Sequence, residues 1–151
     1  MSPARSYRLI HDDPKRVADF VAAQMPGGAD FGPCTALGFE DDGGLFFGVV
    51  YDLCTGTNVF MHCGASRKRW MRREMLADVF GYPFFQLGVD RITGPVDSRN
   101  EVALRFDRHI GFTEETRLRG AVPGGDMIML VLWRDECKWL NMKGVEKWQT
   151  R

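Results

Sequence analysis

The sequence predicts an α/β (α+β) fold, with a mixed, largely antiparallel central sheet of about seven strands flanked by helices. Three observations carry that prediction. The run from Asp90 to Phe112 reads as a strand, a loop, an Asn-led helix and a Gly-Phe stop. Asp41-Asp-Gly-Gly44 separates two runs rich in β-formers, and its glycines satisfy the positive-φ positions of a hairpin turn. With 151 residues and 44% hydrophobic content, the chain suffices for one ordinary core and is too short for two large ones, so residues 1–151 are read as a single domain.

Tyr7 to His11 forms the first strand. Asp12-Asp-Pro14 then opens a helix, with an Asp cap, a proline near the first turn, and Val17, Phe20, Val21 and Met25 at helical intervals; Pro26-Gly-Gly28 stops it. Thr35 to Glu40, Leu45 to Asp52 and Asn58 to Cys63 follow as an antiparallel meander, with Thr55-Gly-Thr57 as the second turn. A second helix is expected from about Arg67 to Phe80, capped by Ser66, with Met71, Met75, Leu76, Val79 and Phe80 on its apolar side. Tyr82-Pro83 ends or kinks it.

Arg91 to Val96 is the next strand, halted by the turn-forming Asp-Ser-Arg-Asn cluster. Ser98 or Asn100 caps the helix that follows, in which Val102, Ala103, Phe106 and Ile110 recur on one face. Gly111 ends that helix, and Phe112 folds back against its last turn. Arg117 to Ala121 and Asp126 to Trp133 are the last strands. Trp139, Trp148, Leu140 and Val145 give residues 134–151 an apolar content that suits a segment packed on its own domain or on a second copy in a homodimer.

The expected second helix carries the first chemical signal. Arg67, Lys68, Arg69, Arg72 and Arg73 would place five cations in its first two turns, where each opposes the helix dipole by roughly 0.3–1 kcal/mol. An anion bound there resolves the conflict, and Gly64 just before the run allows close backbone approach. A solvated basic face and a nucleic-acid contact are the competing readings, although a formal net charge of zero argues against non-specific nucleic-acid binding as the main task.

In order and spacing, Asn100, Ala103, Gly111 and Phe112 resemble the Asn-x-x-Ala…Gly-Phe pattern of the GNAT acetyltransferase superfamily. The likeness extends over roughly residues 58–140: the last strands resemble ribosomal-protein-type members, and Arg67 to Phe84 with Glu136-Cys-Lys-Trp-Leu140 are similar to phage-encoded GNAT-like proteins. The resemblance implies a GNAT-like domain that binds acetyl-CoA and passes its acetyl group to a primary amine of a small molecule or a protein. It also implies that Gly64, Ser66, Arg67, Lys68 and Arg69 hold the cofactor's pyrophosphate and that Asn100 orients the cofactor arm or a substrate carbonyl. Cys63-Gly-Ala-Ser-Arg-Lys-Arg-Trp70 departs from the superfamily's usual Gln/Arg-x-x-Gly-x-Gly/Ala turn, which leaves an inactive, phage-type structural or interaction protein as the alternative.

Amine acetylation needs a proton acceptor and a proton donor. His62 is the first candidate base, and Glu40 or Asp41 beside the hairpin is the second. Many family members carry a tyrosine acid seven residues after the helix-leading Asn, and here that position is Asp107, which at an ordinary pKa has no proton to give at neutral pH. Tyr51 and Tyr82 are the candidate replacements.

Cys34, Cys54, Cys63 and Cys137 lack metal-site spacing, so no metal is expected, and they read as reduced thiols of a cytoplasmic protein. The longest apolar run, Leu45 to Tyr51, is far below the roughly 20 residues that cross a bilayer, and Met-Ser-Pro-Ala-Arg is followed by no apolar signal core.

Overall fold

The computed structural model describes residues 6–150. Seven strands form one sheet in the order β1-β2-β3-β4-β5-β7-β6. β1 (Arg8–Ile10), β2 (Cys34–Asp41) and β3 (Gly44–Asp52) are paired antiparallel, and β4 (Asn58–Ala65) follows next to β3. β5 (Arg91–Asp97) runs parallel to β4 and antiparallel to β7 (Gly125–Trp133), which pairs in turn with the edge strand β6 (Thr113–Val122). The sheet is therefore mixed and mostly antiparallel, as the alternation of strands and turns predicts. No helix among the described residues is long and apolar enough to cross a membrane.

The chain gathers into two compact units. One holds the described residues up to Asp52 together with His62–Arg72, and the other holds Leu53–Met61 with the described residues from Arg73 onward. In the first unit, α1 (Pro14–Gln24) starts where Asp13 accepts a hydrogen bond from the Arg16 amide at 3.3 Å. Its Val17 and Val21 are fully buried with Ala36 and Val50 of the sheet, each fully buried valine being worth roughly 1.5–3 kcal/mol. α1 lies so close to β4 that a Cβ on Gly64 would stand 3.0 Å from Gln24 Cβ and 3.3 Å from Val21 Cα.

In the second unit, α3 (Glu101–Ile110) begins at Asn100, whose side chain accepts from the Ala103 amide at 3.1 Å, and ends at Gly111 with φ of 122°. Its inner face differs from the expected one. Leu104 and Ile110 are buried with Ala103, Phe106 and Asp107 half-buried, whereas Val102 is 77% exposed, because the stripe facing the core is centred on 103, 104, 107 and 110.

The expected second helix is corrected more deeply. α2 spans Met75–Gly81 only, so its N-cap position is Glu74 and not Ser66. Arg69 takes a left-handed backbone (φ 57°) and Trp70 is stacked on Phe47 with ring centroids 3.9 Å apart, so residues 66–74 form a loop pinned to β3. Met71 is exposed, while all seven residues of α2 are buried. The α-helix ends just before Tyr82-Pro83, as the sequence predicts, and gives way to a π-helical segment at Tyr82–Leu87, with Gly88 in the left-handed conformation as its stop.

Residues 134–150 pack within the second unit. Two 3-10 turns (Arg134–Glu136 and Lys138–Asn141) lead to α4 (Glu146–Gln149), and Trp139, Val145 and Trp148 are buried. Trp148 donates to Asp78 at 3.0 Å, Lys147 lies 2.8 Å from the same carboxylate, and Gln86 donates to the Trp148 carbonyl at 2.6 Å. Only glycine fits at position 81, since a Cβ there would stand 2.5 Å from Trp148 Cδ1.

Candidate functional site

A pocket of about 240 Å³ lies in the first unit. Tyr7, Phe46 and Trp70 supply aromatic surface, Asp41 a carboxylate, and Arg67, Lys68, Arg69 and Arg72 four cations. Four positive charges against one negative leave a strong local excess in a chain with no net charge. Arg67 is already committed: it donates to the buried Asp41 at 2.5 Å and lies 4.4 Å over the Phe46 ring, and Gly43 donates to the same carboxylate at 2.9 Å. Arg72 lies 5.7 Å over Tyr7. Lys68 and Arg69 are exposed and make no ion pair or hydrogen bond among the described residues. The left-handed backbone at Arg69 costs on the order of 1 kcal/mol, a strain of the kind that collects at ligand-binding loops.

An anion in this pocket would be met by side chains and not by a helix terminus. The pocket's size suits a phosphate-bearing fragment of a larger ligand, and its charge excess fits a polyanion such as the nucleotide end of coenzyme A. Of the residues expected at this point, Lys68 and Arg69 are the cations free to act, and Arg67 shapes the wall. The Ser66 amide is bonded to the Phe46 carbonyl at 3.0 Å, and the close approach that Gly64 permits is that of α1. The Asn100 amide oxygen is occupied by its helix cap.

The candidate bases differ sharply. His62, on β4, has Nε2 3.0 Å from Asp52 Oδ1, with side-chain exposures of 17% and 13%. The Phe31 ring tilts against the imidazole with centroids 5.1 Å apart. Glu40 is unsuited to the role. Arg16 at 2.7 Å and Arg8 at 3.3 Å bind both its oxygens, and the Arg16 hydrogen bond above all holds its carboxyl below the ordinary range. It also lies far from His62: Glu40 is opposite Leu45 and Asp52 ends the same strand seven residues later, about 23 Å of extended chain. Asp41 is closed in by Arg67 and the Gly43 amide.

Asp107, in the second unit, is half-buried, and no hydrogen bond or ion pair reaches its carboxylate among the described residues. Burial pushes its pKa from the ordinary 3.8 to about 7. At that value the Asp107 carboxyl can carry a proton near neutrality. Tyr51 and Tyr82 are buried. Cys137 is a buried thiol pushed up to about 11, chiefly by desolvation, and reads as structural.

Asp52 and the aromatic frame of Tyr7 and Phe46 are not legible in the sequence, because their placement depends on strand neighbours. Trp70 was a visible clue, a lone aromatic inside a basic run.

No protein-family model matches the chain, and no curated protein sequence does. Solved structures do. The acetyltransferase (GNAT family) from Bacillus anthracis superposes with a TM-score of 0.63 at 14% identity, covering 89% of this chain and 98% of that one. Mutant forms of the spermidine/spermine N-acetyltransferase SpeG from Vibrio cholerae give 0.61 at 18% identity, covering 72% and 67%. Campylobacter jejuni N-acetyltransferase PseH, solved in complex with acetyl coenzyme A, gives 0.54 at 16% identity, covering 67% and 68%. The chain has the fold of the GNAT N-acetyltransferases.

Proposed function

We propose that the protein is an acetyl-CoA-dependent N-acetyltransferase acting on a primary amine by direct attack. One observation carries the reading: β4 bears His62 and leads within four residues, about 13 Å of extended chain, to the cation-rich loop that begins at Ser66. A proton acceptor and an anion site set apart along one strand suit a cofactor whose phosphates are remote from its reactive sulfur. Acetyl-CoA, when bound, supplies a thioester whose C–S bond breaks as the amine nitrogen forms the new C–N bond. Lys68 and Arg69 hold the phosphates, with Arg67 and Arg72 framing the pocket. His62 takes a proton from the acceptor ammonium, leaving the neutral amine that attack requires. Cys34, Cys54 and Cys137 stand as thiols, which accords with a reducing cytoplasmic setting.

One observation favours the second reading, a non-catalytic acyl-CoA-binding protein of the phage type: the cation nearest β4, Arg67, is spent on Asp41. A thiol-release assay with acetyl-CoA over a panel of polyamines, amino sugars and N-terminal peptides separates the two. Thiol release with at least one amine, lost in His62→Gln, is the expected result. Acetyl-CoA binding with no release from any amine would favour the second reading.

A further inference from the structure

The proposed base does not stand alone, and its partner decides which of its nitrogens is available. A carboxylate only accepts hydrogen bonds, so the 3.0 Å contact between Asp52 Oδ1 and His62 Nε2 requires a proton on Nε2. In the neutral ring the lone pair then sits on Nδ1. No other hydrogen bond reaches the imidazole among the described residues, so Nδ1 is uncommitted. Rotation that would exchange the two nitrogens is opposed by Phe31 against the ring and by the shielding of both partners, each less than a fifth exposed.

Asp52 is well placed for this work. It is the last residue of β3, opposite Cys34 on β2, and thus anchored in the ladder at a strand end. Cys34 is the other titratable group facing it. Burial first, and the negative charge of Asp52 second, push the Cys34 thiol up, so it stays protonated and supplies no competing charge. No cation is paired with Asp52 among the described residues, so no counter-charge competes with the imidazole for it.

We infer that Asp52 is a positioning residue that locks His62 in the Nε2–H tautomer and makes Nδ1 the proton-accepting atom. The inference rests on the proposed role of His62 as base. In the step itself one proton leaves the acceptor ammonium for Nδ1, the amine becomes neutral and the ring becomes an imidazolium. The Nε2 proton stays on the ring, where Asp52 faces the new positive charge.

The test uses the full chain labelled with ¹⁵N-histidine and long-range ¹H–¹⁵N correlation at pH 9, with His62→Gln assigning the signal among the three histidines. The expected spectrum shows His62 as a single Nε2–H tautomer in the parent protein. In Asp52→Ala, and in Asp52→Asn as the better-folded control, that pattern gives way to a tautomer mixture. An Nδ1–H or mixed pattern in the parent, or a pattern unmoved by both substitutions, overturns the inference. In the thiol-release assay Asp52→Asn is expected to lower kcat at least about tenfold while KM for acetyl-CoA stays within about twofold. Full kcat in His62→Gln would instead defeat the reading of His62 as base, whatever the tautomer.

Discussion

Asp41 and Asp78 are both buried carboxylates met by a basic side chain, yet their surroundings differ in one decisive respect. Around Asp78 the charges balance: Lys147 neutralises it, Trp148 donates to it, and the indole is seated on Gly81. Around Asp41 they do not. Arg67 neutralises the carboxylate, and Lys68, Arg69 and Arg72 still line an open pocket. A balanced cluster in packed surroundings holds the fold together. Surplus charge beside a cavity, on a loop with strained backbone, calls for a ligand.

The largest expected effect breaks the balanced cluster. Trp148→Ala removes the indole from Gly81 and strips Asp78 of a hydrogen bond, and a loss of roughly 3–5 kcal/mol in urea unfolding is expected. Asp107, a half-buried carboxylate that no cation meets, extends the contrast. Its folded pKa of about 7 lies above the ordinary 3.8, so the protein is unpenalised below about pH 4 and carries the full penalty above about pH 7. Asp107→Asn should therefore match the parent near pH 4 and exceed it above pH 7, by roughly 4 kcal/mol at most. A difference that does not vary with pH would contradict the assignment.

Smaller effects sharpen the other side. Lys68→Ala/Arg69→Ala is expected to raise the Kd for acetyl-CoA roughly tenfold to a hundredfold, about 1.4–2.8 kcal/mol, with unfolding unchanged to within about 0.5 kcal/mol. Gly64→Ala, which pushes on Gln24 and Val21 of α1, should cost about 1 kcal/mol of stability with little change in cofactor affinity. A large loss of affinity with no loss of stability would restore Gly64 to the binding site.

Where signals were local, the sequence could be read. Asn100 and Gly111 mark α3 at both ends because a cap and a stop act within a few residues. α2 was misread because its boundary is tertiary: Trp70 stacks on Phe47, a strand away, and Arg69 turns left-handed to permit it. Glu40 looked free from its hairpin neighbours, yet Arg8 on β1 and Arg16 on α1 had already claimed it. The partner of His62 was hidden for the same reason, since Asp52 meets it only once β3 and β4 are side by side.

In the proposed function Lys68 and Arg69 bind the phosphates of coenzyme A. Calorimetric titration of acetyl-CoA and of pantetheine, which lacks nucleotide and pyrophosphate, into the parent and Lys68→Ala/Arg69→Ala tests it most directly. A loss of affinity for acetyl-CoA with pantetheine binding unchanged is the predicted result. Equal losses for both ligands, or no binding of acetyl-CoA by the parent protein, would contradict it.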